Sequence, residues 1–205
     1  MKINCIIDTC SCVYLSNAEF SQKSLLRHLN DSTHVYYSHE VHRELIDHKS
    51  KGPMDFFINK KYALNTQKYS IENYQKRMVN EVLPSRKKGG SRGEIDNFLL
   101  TIDLLHHTKK GAMVYITDDK KAINGKIGEW APSFPGIQLW TSYDVLLFLY
   151  AHNVIPTKAI ALDLIRDINA TVTKNEPRSE ELTARIQKLV TEVGNKIEKV
   201  SRIFS

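Results

Sequence analysis

Two short apolar runs in this chain end on acids, and that pattern constrains the fold more than any other. Residues 3–7, Ile-Asn-Cys-Ile-Ile, lead into Asp8; residues 112–116, Ala-Met-Val-Tyr-Ile, lead through Thr117 into Asp118 and Asp119. Runs this short and this rich in β-branched residues read as buried strands. "THVYYS" at 33–38 and "GIQLWTS" at 136–142 have the same character. Helical patterns separate them. "SHEVHRELIDHK" opens on Ser38 as an N-cap. "SRGEIDNFLLTIDLLHHTKKG" offers Ser91 as N-cap, Glu94 at capping-box spacing and Gly111 as a stop. "SYDVLLFLYAHNV" follows the last strand, and residues 55–83 carry a weaker helical pattern. Strands alternating with helices predict a parallel sheet of four to five strands joined by helical crossovers.

Composition narrows the class. No run of eighteen apolar residues exists in the 205, so no membrane span is expected. Asn4 and Asp8 interrupt the start before a secretory signal can form, so a cytoplasmic protein is expected. All three cysteines, Cys5, Cys10 and Cys12, fall in the first twelve residues, which argues against a disulfide framework. The formal charge of +6 points towards an acidic partner, and "RKKGGSR" at 86–92 concentrates it in a glycine-containing loop. Lys87, Lys88 and Arg92 are the candidate guides for a nucleic-acid backbone.

The carboxylates form the second regularity. In an open parallel sheet, ligands bind outside the carboxyl ends of the strands. Asp8, Asp118 and Asp119 end strands there. Glu44 lies in the helix after the second strand, and Glu94 and Asp96 lie in the first turns of the helix before the third. Several carboxylates at one edge repel one another unless a cation neutralises them, and oxygen donors suit Mg²⁺ or Mn²⁺. Such ions promote phosphodiester cleavage, so the expectation is a nuclease. The motifs "GEID" and "TDD" each offer two acids. Residues 94 and 96 stand about 200° apart on a regular helix, so both cannot face one site well.

Other constellations are weaker. His39-Glu40-Val41-His42 places its histidines at i and i+3, one residue short of the zinc-peptidase spacing. Cys10 and Cys12 have no second pair at zinc spacing. No phosphate-binding glycine motif is present.

The motifs "CIIDTCSCVYL", "SHEVHRELI", "GEIDNFLLTIDLL" and "VYITDDKKA" together resemble the four motifs of the PIN-domain family, in order, over residues 3–145. The resemblance implies a three-layer α/β/α fold with a central parallel sheet. It implies a metal-dependent ribonuclease, in many members the toxin of a toxin–antitoxin pair. Asp8, Glu44, Asp96 and Asp119 would form the catalytic, metal-binding quartet, with Glu94 and Asp118 as alternates and Thr117 supporting the fourth acid. Mg²⁺ or Mn²⁺ would be the cofactor, RNA the substrate, and an antitoxin or regulatory protein a partner. A fold that binds RNA as a scaffold without catalysis is the alternative.

Residues 1–155 are read as the nuclease domain and 156–205 as a helical C-terminal extension. The extension carries one apolar stripe, Leu182, Ile186, Leu189, Val193, Ile197, Val200 and Phe204. Packing within the chain, dimerisation and partner binding all fit that stripe.

Overall fold

The computed structural model describes residues 2–47, 54–64, 92–108, 112–174 and 176–204. Its centre is a five-stranded sheet in which every neighbouring pair is parallel. The strands are β1 (Asn4–Ile7), β4 (His34–Ser38), β5 (Ala63–Leu64), β6 (Met113–Ile116) and β7 (Ile137–Trp140), in the spatial order β5-β4-β1-β6-β7. A separate two-stranded hairpin joins β2 (Glu19–Phe20) to β3 (Lys23–Ser24). Its turn residues Ser21 and Gln22 both have positive φ, 55° and 61°, the hand that a two-residue hairpin turn requires.

Side-chain alternation along the strands divides the core into two layers. Cys5 and Ile7 of β1, Val35 and Tyr37 of β4, and Val114 and Ile116 of β6 face one layer. There they meet α1 (Thr9–Asn17), α2 (Leu25–Ser32) and α7 (Ser142–Ala151). Ile6, Met113 and Tyr115 face the other, against Phe98 and Leu100 of α4 (Arg92–Thr108). The short helices α5 (Lys120–Ile123) and α6 (Lys126–Trp130) complete that layer through Ala122 and Ile127. The helix α3 (His39–Asp47) follows β4 directly and buries Val41 and Leu45. The result is a central parallel sheet flanked by helices on both faces.

The C-terminal helices share the first layer. Helix α8 (Lys158–Val172) buries Ala161, Leu164, Ile165 and Ile168 in it, and α9 (Glu180–Phe204) adds Val193 and Ile197. Lys158 pairs with Glu198, and the hydroxyls of Tyr150 and Ser201 lie 2.6 Å apart. The central part of the C-terminal stripe is thus used inside the chain.

One segment departs from its pattern. The helical spacing over 55–83 is not realised in 54–64, which forms turns and then β5, while 65–83 lie outside the described residues. The reason is tertiary. The hydroxyl of buried Tyr37 holds the carbonyls of Phe57 and Asn59, at 2.8 and 3.0 Å, and accepts the Asn59 N–H at 3.1 Å. Among the described residues, no helix is long and apolar enough to cross a membrane.

Candidate active site

In this sheet β1 has β4 on one side and β6 on the other, and the strand order reverses between β1 and β6. The crevice at such a switch point is where open α/β sheets bind ligands. Asp8 leaves β1 and Asp118 and Asp119 leave β6 at that crevice, and the Asp8 N–H reaches the Ile116 carbonyl at 3.1 Å.

Asp8 is 2% exposed. It caps α1: one carboxylate oxygen accepts the Ser11 N–H at 2.8 Å, and the other accepts the Thr117 hydroxyl. Burial raises its carboxyl to about 7, against the opposing pull of those hydrogen bonds. Thr117 is fully buried, and its oxygen in turn accepts the Asp119 N–H at 3.2 Å. One hydroxyl therefore ties the first acid to the backbone of the last.

Asp118 and Asp119 diverge. Asp118 turns inward and accepts the Ser11 hydroxyl at 2.7 Å, the Ser142 N–H at 3.1 Å and the Ser142 hydroxyl. It stitches the starts of α1 and α7 to the end of β6, and burial raises its carboxyl above the usual range. Asp119 stays at the surface of the crevice and caps α5 through the Lys121 N–H at 2.6 Å. A hydrogen bond with the Glu94 side chain, with smaller help from the Lys121 charge, holds Asp119 below the usual range.

The two acids of "GEID" also part company. Glu94 turns to Asp119. Asp96 turns to the start of α3, where the Ser38 hydroxyl and the Glu40 N–H donate to it; burial raises its carboxyl all the same. Ser38 also accepts the Val41 N–H at 3.3 Å, so it serves as the expected N-cap. The rotation of α4 is fixed by Asn97, which is fully buried. Its amide donates to the Ile7 carbonyl and accepts the Ser38 N–H, both at 2.8 Å, and so spans the ends of β1 and β4.

Glu44 accepts the Thr9 hydroxyl and lies against Gly93, where a Cβ would stand 2.7 Å from its Oε1. Only glycine at this first turn lets that carboxylate approach without displacement. Asp8, Asp118, Asp119 and Glu94 all bear on the thiol of Cys10, which is exposed on the first turn of α1. Partial burial first, and these four charges second, push the thiol up to about 12, which disfavours its thiolate form.

The structure therefore gathers Asp8, Glu94, Asp118 and Asp119 around the crevice, with Glu44 beside the start of α4, and directs Asp96 to α3. Arg92 opens α4, whereas Lys87 and Lys88 lie outside the described residues. Sequence reasoning missed Ser11, Ser142 and Asn97, since the targets of polar side chains like these are distant in the chain. His39 and His42 place their ring centroids 6.4 Å apart.

No three of the His, Cys, Asp and Glu side chains among the described residues form a group that would by itself hold a metal ion. The donors present at the crevice are carboxylate oxygens. Two carboxyl groups hydrogen-bond only with a proton between them, and a cation can take that proton's place. Glu94 and Asp119 are the acids that could offer two carboxylates to one ion, and Mg²⁺ commonly takes one or two carboxylates and keeps several waters. No protein-family model matches this sequence, and no curated protein or solved structure shows significant similarity to it.

Proposed function

We propose that this chain is a Mg²⁺- or Mn²⁺-dependent endoribonuclease with a PIN-like site. The observation that carries the reading is the joining of Asp8 to Asp119 through Thr117, with Glu94 brought to Asp119 from α4. Acids from three separate segments meet at the strand-order reversal of a parallel sheet, in a chain of net charge +6.

Glu94 and Asp119 would hold the ion, with Asp8 behind them. When bound, the ion supplies Lewis acidity to the phosphate and its attacking water. The chain's own residues do the rest. Asp119 remains ionised at neutral pH and would position the attacking water, whose proton passes to solvent. Thr117 fixes the backbone on which Asp119 is mounted. Lys121, next to Asp119, offsets the approach of a polyanion to an acidic site. A toxin held by an antitoxin, the setting the resemblance implies, adds a protein partner to this reading.

The test is cleavage of end-labelled RNA by protein from a nuclease-free background, with Mn²⁺, Mg²⁺ or EDTA. Metal-dependent cleavage that Asp119→Asn abolishes is expected; full cleavage by Asp119→Asn overturns the assignment. That no three acids among the described residues form a ready metal group favours a second reading, an RNA-binding protein without catalysis. Calorimetry separates the two: the nuclease binds Mn²⁺ in a manner that Glu94→Gln weakens, and the scaffold does not.

A further inference from the structure

A strip of basic and aromatic side chains runs from the start of α3 to the turn before β5. It starts at His39, which lies near the Asp96 carboxylate of α4. The His39 ring neighbours the His42 ring at 6.4 Å. His42 in turn stacks on Tyr37, with ring centroids 5.8 Å apart, and partial burial holds it below the usual histidine range, so it offers the strip a ring rather than a charge. Lys60 and Lys61 end the strip; both are exposed, and the Lys61 ammonium sits 4.7 Å over the Tyr62 ring. Glu40, the acid within the strip, is paired with Arg43 at 3.0 Å. Lys60 and Lys61 have no carboxylate partner among the described residues.

The lysines stand on a rigid mount. Tyr37 clamps Phe57 and Asn59 from below, and the Asn59 side chain accepts the Lys61 N–H at 3.0 Å. Two cations are thus presented on an ordered turn at little ordering cost, which favours binding. Cations interleaved with rings fit a single-stranded nucleic acid, whose phosphates take the charge and whose bases stack.

We propose that Lys60 and Lys61, with the rings of His39, His42 and Tyr62 beside them, hold the backbone of single-stranded RNA. The choice of RNA rests on the nuclease reading; the strip itself does not need catalysis.

The experiment is fluorescence anisotropy of a short fluorescein-labelled single-stranded RNA, titrated with full-length protein in EDTA over a salt series. The K60Q/K61Q double variant should bind about tenfold more weakly, and its slope of log K against log salt should shrink by about 1.4, the share of two phosphates. Lys23→Gln, on the hairpin, should leave that change absent. An unchanged slope in K60Q/K61Q, no RNA binding by the unaltered protein, or equal affinity for polyglutamate overturns the strip. Cleavage is read separately: activity with an unchanged slope removes the strip alone, and a lost slope without any cleavage supports the strip while removing the nuclease reading.

Discussion

Glu94 and Asp119 meet side chain to side chain across the crevice, while Asp96, two residues from Glu94, caps a different helix. The two acids of one motif therefore have separable roles. Glu94→Gln should lower RNA cleavage by at least ~100-fold, the scale of a lost acid–base or charge partner. Asp96→Ala should keep most activity and lower stability by about 1 kcal/mol, as for other lost caps. Turnover and urea denaturation on both variants check this; the reverse pattern would return the role to Asp96.

Gly93→Ala places a methyl group where Glu44 now lies, 2.7 Å from Oε1. An alanine inside a helix ordinarily gains about 0.5–1 kcal/mol over glycine. Here that gain should be offset, because the Glu44 carboxylate must leave Thr9. In a Glu44→Ala background the gain should reappear. The double-mutant cycle should give a coupling of at least about 0.5 kcal/mol, and strict additivity would show that the contact carries no energy.

Burial raises Asp8 to about 7 from an ordinary 3.8. Because the folded value lies above the unfolded one, the protonated form's stabilisation is complete below about pH 4 and is lost as pH rises through 7. In EDTA, Asp8→Asn should therefore gain Tm relative to the unaltered protein as pH is raised from 4 to 8. Added Mn²⁺ should reduce that difference at pH 8 by stabilising the ionised acid. A difference that does not vary with pH would mean that Asp8 is not the group whose burial sets it.

Ser142 offers both its N–H and its hydroxyl to buried Asp118. Ser142→Ala removes one hydrogen bond to a charged group and should cost about 1.5–3 kcal/mol. Ser11→Ala should cost a similar amount, since it too removes one hydroxyl from Asp118 and keeps its backbone N–H bond, here to Asp8. The double variant should fall short of the sum, because both hydroxyls serve one carboxylate. Urea melts of the three proteins provide the measurement.

The local pattern alone determined four strands of the main sheet and most of the longer helices. Alternation along residues 4–7 and 113–116 dictates two buried faces, and an acid after each run must come out at the carboxyl edge. That logic needs only neighbours in the chain, so Asp8, Asp118 and Asp119 were legible as a group from the sequence. The short strand β5 and the hairpin were not, because Tyr37 and a pair of positive-φ residues without glycine decide them. Nor was the division of labour within "GEID" and "TDD". Which acid faces the crevice depends on the rotation of α4, and that rotation is set by Phe98 and Leu100 in the core and by Asn97 bridging Ile7 to Ser38. Those contacts join residues 59 and 90 positions apart. A periodic pattern places acids on an edge; only long-range packing turns one of them towards its partner.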